Sequence, residues 1–104
     1  MRPDGGIGPC KVLLGFAPVE RGIEGMCLDS EGNIVACAGW NRGGVGPLIY
    51  VISASGTVLE THAAPADLPM RCAFGDAGLT SLYVTAGDGG LYRATNTGKR
   101  GSRR

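Results

Sequence analysis

No run of this chain approaches the roughly 20 apolar residues that a membrane-crossing helix needs, and its opening MRPDGGIGPCK lacks the apolar centre of a secretory leader. A cytoplasmic protein without membrane association is the expectation. The spacing of a zinc site is missing too, because Cys10, Cys27, Cys37 and Cys72 form no C-x-x-C pair and His62 is the single histidine. Neither GxGxxG nor a GKS/T phosphate loop is present, which leaves a nucleotide site without support. A net charge of +1 gives no electrostatic case for binding nucleic acid. The basic residues that do cluster, in the closing GKRGSRR, are read as a solvated, frayed terminus with residues 102–104 as its tail.

What the chain has is glycine and turns. Among 104 residues, 43% hydrophobic, there are 19 glycines and 6 prolines, too apolar for disorder and too punctuated for long helices. Cys27, Cys37 and Cys72 fall in apolar runs and read as small core residues of a reducing compartment, not as a disulfide frame. The stretch MCLDSEGNIVACAG followed by PLIYVISASGTVLETH shares its plan with RCAFGDAGLTSLYVTAG followed by GLYRATNTGKRG. Cys27 answers to Cys72, Gly39 to Gly87, Tyr50 to Tyr92 and Gly56 to Gly98, at offsets of 45, 48, 42 and 42. A period in the forties made of short strands and glycine-rich turns is the mark of β-propeller blades.

Turn and strand signals divide each copy. Strands are expected at 26–28, 34–38, 48–52 and 58–62, a four-strand blade within 25–62, and at 72–74, 82–85 and 91–94, an incomplete blade within 70–94 whose outer strand is missing. The glycine-rich GWNRGGVGPL is expected to be a loop over the channel mouth, with Trp40 either lining a pocket there or packing on the blade. Pro3, Asp4 and Gly5 signal a turn, and KVLLGF at 11–16 reads as the outer strand closing a preceding blade. Residues 1–101 are thus expected to be all-β, a partial propeller of about two blades from a larger parent. Open sheet edges in such a piece invite self-association.

One carboxylate stands in an unusual place. Glu24 lies between Ile23 and Gly25, just ahead of an apolar run, so a strand starting there carries an acid to the edge of the core. An unpaired buried charge is costly, which leaves an acid exposed at the strand's mouth or one bound to a cation. Asp29, Glu31 and Asn33 alternate as in a calcium loop, but Gly32 falls at position 4 where an EF-hand loop has its glycine at 6, so a β-turn is expected. Asp88 is a turn residue by type, and His62, with no nucleophile placed beside it by any motif, reads as a surface histidine.

GIEGMCLDSEGNIVACAGW, ISASGTVLETHAAPADLPMRCAFG and LTSLYVTAGDGGLYRATNTGKRG, preceded by PDGGIGPCKVLLGFAP, together resemble the C-terminal blades of the gluconolactonase family, also called SMP-30 or regucalcin-like. The resemblance implies a six-bladed parent that hydrolyses sugar lactones with a divalent metal, calcium above zinc or manganese, near its central channel. It also implies that Glu24 stands where the family has a metal-binding aspartate, in the phrase Ile23-Glu24-Gly25-Met26. Glu24 would then be both metal ligand and catalytic base, one methylene longer than the family residue. The other metal ligands and the substrate-binding residues would fall outside this sequence, so the chain is expected to hold no metal and open no lactone alone. The alternatives are a non-catalytic propeller-type interaction module or a self-assembling blade fragment.

Overall fold

A computed structural model of the chain describes residues 10–16 and 21–102. The turn expected at 3–5 and the last two residues of the basic tail lie outside this set. Seven strands form two antiparallel sheets. The first runs β1 (Ile23–Leu28), β2 (Ile34–Trp40), β3 (Gly43–Ile52) and β4 (Val58–Ala63); the second runs β5 (Pro69–Gly75), β6 (Ser81–Ala86) and β7 (Leu91–Ala94). Four strands and then three, each sheet in chain order, is the expected all-β pattern of one whole blade and one without its outer strand.

The repeat offset of 45 is realised physically at the inner strands. β5 packs on β1 and β2, and Gly25 of β1 touches the backbone of Met70 and Arg71 so closely that a Cβ there would overlap the Met70 carbonyl oxygen. Only glycine lets two backbones meet this way. Behind that contact, alternate residues of β2 and β3 face the second sheet: Val35, Cys37, Ile49 and Val51 pack with Cys72, Leu82 and Val84. Val35 and Val51 are 1% and 2% exposed. Full burial of such side chains contributes about 1.5–3 kcal/mol each. The opposite face of the first sheet, Ala36, Ala38, Tyr50 and Ile52, is covered by Leu14 and Phe16, the Phe16 ring meeting Tyr50 edge-on at 5.5 Å. β2 is therefore buried on both faces, as a strand inside a stack of blades must be.

Three expectations need correction. Residues 11–16 form no strand, although Leu14 and Phe16 pack on the blade and the Leu13 carbonyl lies against Gly56 of the β3–β4 turn. The glycine-rich run is not a loop, because β3 starts at Gly43 and its first residues continue the pairing with β2, Trp40 opposite Gly43. Gly39 and Gly46 make that possible, both at positive φ with the Gly39 Cα against the Gly46 carbonyl, so the hairpin twists where side chains would collide.

The third correction concerns the terminus. Residues 98–102 are not frayed up to Ser102: Gly101 is buried and bridges Asp29, the Ser102 N–H donates to the Leu28 carbonyl at 3.1 Å, and the Gly101 N–H donates to the Leu79 carbonyl at 2.8 Å. Lys99 Nζ reaches the Glu60 carboxylate on β4 at 2.6 Å. The closing segment clamps the two sheets together at the ends of β1 and β5.

Replacing Gly25 by alanine forces β1 and β5 apart. The Gly25→Ala chain is expected to lose about 1–3 kcal/mol of stability, the usual cost of overpacking a fitted contact. Urea denaturation should show a lower midpoint at unchanged slope, and an unaltered midpoint would mean that the two strands do not meet at Gly25.

Candidate functional site

Strand direction sorts the turns into two ends. The start of β1, the β2–β3 hairpin, the 64–68 connection and the β6–β7 turn share one end; the β1–β2, β3–β4 and β5–β6 turns and the C-terminal clamp share the other. Glu24 lies at the first end. Ile23 pairs with Ala38 and Gly25 with Cys37, which leaves Glu24 as the extra residue of a β-bulge. A bulge re-aims the side chain it carries, and here it brings Glu24 to Arg21. The Arg21 Nε and Nη2 donate to the same carboxylate oxygen, Oε2, at 3.0 and 2.6 Å. With the Glu24 side chain 26% exposed, the acid is neither freely solvated nor buried alone: it is ion-paired at the strand's mouth.

Arg21 is held in turn by its own backbone, whose carbonyl accepts the Gly39 N–H at 2.9 Å, and its guanidinium lies 5.1 Å from the centre of the Trp40 ring. Arg42, at the tip of the same hairpin, lies 5.7 Å from that ring. Such cation–π contacts contribute roughly 0.5–1 kcal/mol each at exposed positions. The hairpin is pinned to the next blade by the Asn41 N–H, which donates to Asp67 Oδ1 at 2.8 Å. Trp40 thus packs against arginines of its own blade.

Sequence reasoning found Glu24 and missed its partner. Residues three apart in an extended strand point to opposite faces, so Arg21 gave no sign of reaching Glu24. Only the bulge cancels that alternation.

The remaining acids have local roles. Asp29, 4% exposed and at the opposite end from Glu24, accepts the Glu31 and Asn33 N–H groups at 2.9 Å each and the Asn33 side-chain amide at 3.2 Å, which makes its segment the expected β-turn. His62 is exposed and bonds Glu60 Oε1 at 2.8 Å. The Lys99 ammonium, and after it His62, hold the Glu60 carboxyl below its ordinary range. Asp88 sits in the β6–β7 turn, where Oδ1 accepts the Gly90 N–H at 2.8 Å and Oδ2 accepts the Tyr92 hydroxyl. A cleft of about 430 Å³ opens between the sheets, but its apolar lining, Val35, Val51, Phe74 and Leu82 among others, does not include Glu24 or Arg21.

The described residues do not fit a divalent metal. No group of three or more His, Cys, Asp or Glu side chains among them is disposed to hold one, and both arginine bonds to Glu24 converge on a single carboxylate oxygen. A hard cation such as calcium takes six to eight oxygens, far more than one carboxylate offers. None of the described helices is long and apolar enough to cross a membrane.

The profile of the SMP-30/gluconolactonase/LRE-like region matches residues 1–88, and the chain belongs to that family. Similar proteins include regucalcin of Xenopus laevis, 32% identical over 98 residues, covering 79% of this chain and 31% of that protein. Regucalcin of Homo sapiens is 31% identical over 97 residues, again 79% of this chain and 31% of the relative. Regucalcin of Oryctolagus cuniculus is 38% identical over 73 residues, 69% and 23% of the two chains. The chain therefore spans about a third or less of the length of these relatives.

The turn that shares an end with Glu24 can be checked by titration. The bond to Asp88 raises the Tyr92 phenol above its ordinary range, and the same bond, with the Gly90 N–H after it, lowers the Asp88 carboxyl. Because the Asp88 value is depressed on folding, its stabilising effect is present above the unfolded carboxylate pKa and fades as pH falls through the folded one. Ultraviolet difference titration should show one tyrosine ionisation moving to lower pH in Asp88→Asn, back toward the ordinary range near 10. Three unchanged tyrosine titrations in the variant would contradict the assignment.

Proposed function

We propose that this chain supplies C-terminal blades of a metal-dependent sugar-lactone hydrolase and opens no lactone by itself. The observation that carries the proposal is the bulged Glu24 at the strand's mouth, in a chain of the gluconolactonase family. Glu24 corresponds to the aspartate that holds the metal in the family resemblance, and it lies at the end of the blade where hairpin and connection turns gather. In the whole hydrolase its carboxylate would be one metal ligand among donors from other blades, and an ionised oxygen able to accept the proton of an attacking water. Arg21 competes for that oxygen in the chain as it stands. The free Cys27, Cys37 and Cys72 thiols suit a reducing compartment, and we place the protein in the cytoplasm on that ground.

The test has two arms. The recombinant chain, supplied with calcium, zinc or manganese, is expected to hydrolyse gluconolactone no faster than buffer. A chimera in which this chain replaces the matching third of Xenopus laevis regucalcin should bind calcium, and Glu24→Gln in that chimera should weaken calcium binding at least tenfold. Metal binding that is indifferent to Glu24→Gln would remove Glu24 from the site, and turnover by the chain alone would overturn its dependence on other blades.

A second reading, an interaction module that assembles through sheet edges, is favoured by one observation. β4 and β7 each have a neighbour on one side only among the described strands, and unpaired strand edges pair readily with other chains. Sedimentation velocity should show one discrete oligomer if this is the chain's role; a monomer at micromolar concentration contradicts it.

A further inference from the structure

We propose that Cys27 and Cys72 form an oxidation site, at which a peroxide closes a disulfide between the inner strands of the two blades. The two sulfurs lie 3.6 Å apart although the residues are 45 positions apart in the chain. Their closeness follows from the repeat. Gly25 meets Met70 and Arg71, and two residues further along each strand, in the same direction, come Cys27 and Cys72. Equivalent positions of neighbouring blades therefore face each other, and the missing Cβ of Gly25 sets the backbones near enough for their side chains to touch. Cys27 is half-buried and open to a small oxidant, whereas Cys72 is buried, its thiol donating to the Val35 carbonyl at 3.3 Å.

The chemistry balances with a peroxide as the two-electron oxidant. The Cys27 thiol takes one oxygen from hydrogen peroxide and becomes a sulfenic acid, releasing one water. The Cys72 sulfur then attacks Cys27 Sγ, the S–O bond breaks, and the hydroxyl leaves with the Cys72 proton as a second water. Two cysteines lose two hydrogens in total, and the peroxide is reduced to water.

The rate has a built-in dependence on pH. The bond between the sulfurs, reinforced by burial, pushes the Cys27 thiol up. Cys72 is pushed up to about 12, because its contact with Cys37 and its burial outweigh the lowering effect of the bond with Cys27. Thiolate is the reactive form, so closure is slow at neutral pH and accelerates as pH rises. A cross-link at this position encloses a long loop and ties both sheets at their inner edge, which favours the folded chain.

Hydrogen peroxide treatment of the full chain, followed by trypsin without reduction, should join peptide 22–42 to peptide 72–93. Cleavage after Leu28 then separates Cys27 from Cys37 and should leave the cross-link with Cys27. The cross-link is expected to persist in Cys10→Ser/Cys37→Ala and to vanish in Cys10→Ser/Cys27→Ser. Oxidised wild type should melt roughly 10 °C or more above the reduced chain, from loop-closure entropy, and dithiothreitol should reverse the shift. The proposal fails if the cross-link maps to Cys37, if only dimers through Cys10 appear, or if Cys27 accumulates oxygen atoms while Cys72 stays alkylatable. Because cleavage after Leu28 assigns the bond in the wild-type chain, the outcome does not hang on the variants folding.

Discussion

The contact of β1 with β5 at Gly25 governs the rest of the molecule. A sheet of three or four strands cannot bury both its faces alone, and each blade depends on a neighbour laid against it. With a side chain larger than hydrogen at position 25, the inner strands would separate, and the layer formed by Val35, Val51, Leu82 and Val84 would open toward solvent. The same contact fixes which residues of the two repeats face each other. It thereby sets the neighbours of Cys27, the direction of β1 as it reaches Glu24, and the end of the blade on which the acid emerges.

Glu24 shows how a local irregularity carries chemistry. In a regular ladder its carboxylate would point to one face of the sheet and Arg21 to the other. The bulge inserts one unpaired residue, and the two meet in an ion pair with both nitrogens on a single oxygen. Half-exposed pairs of this kind contribute little to stability, commonly below about 1 kcal/mol, so its interest is positional. The arginine holds the acid at the mouth of β1, in the company of Trp40 and Arg42.

Much of the architecture was legible in the sequence, for identifiable reasons. The runs around Val35, Tyr50 and Val84 combine β-rich residue types with glycine, asparagine and serine turns, and they became the strands they resembled. Among the described residues the second copy forms a sheet of three strands. GGVGPL misled because glycine usually signals a loop, whereas here it permits the twist of a hairpin whose backbones touch. The Lys11–Phe16 run has strand composition, yet it meets the first sheet through Leu14 and Phe16 side chains and joins none of the described ladders, and composition alone does not decide between the two. Of the candidate site, the acid was legible and its ion pair was not, since the pairing depends on a register irregularity that no residue type announces.

The clamp made by residues 98–102 also has a temporal meaning. Hairpins of the first sheet close over short loops and form early, but the far end of β1 finds its bridge only in Gly101, near the opposite end of the described chain. Contacts of such long sequence separation are slow to form, because loop entropy must be lost before they gain anything. The stretch of chain that looked least structured thus makes the contacts whose loop-closure cost is among the highest in the fold.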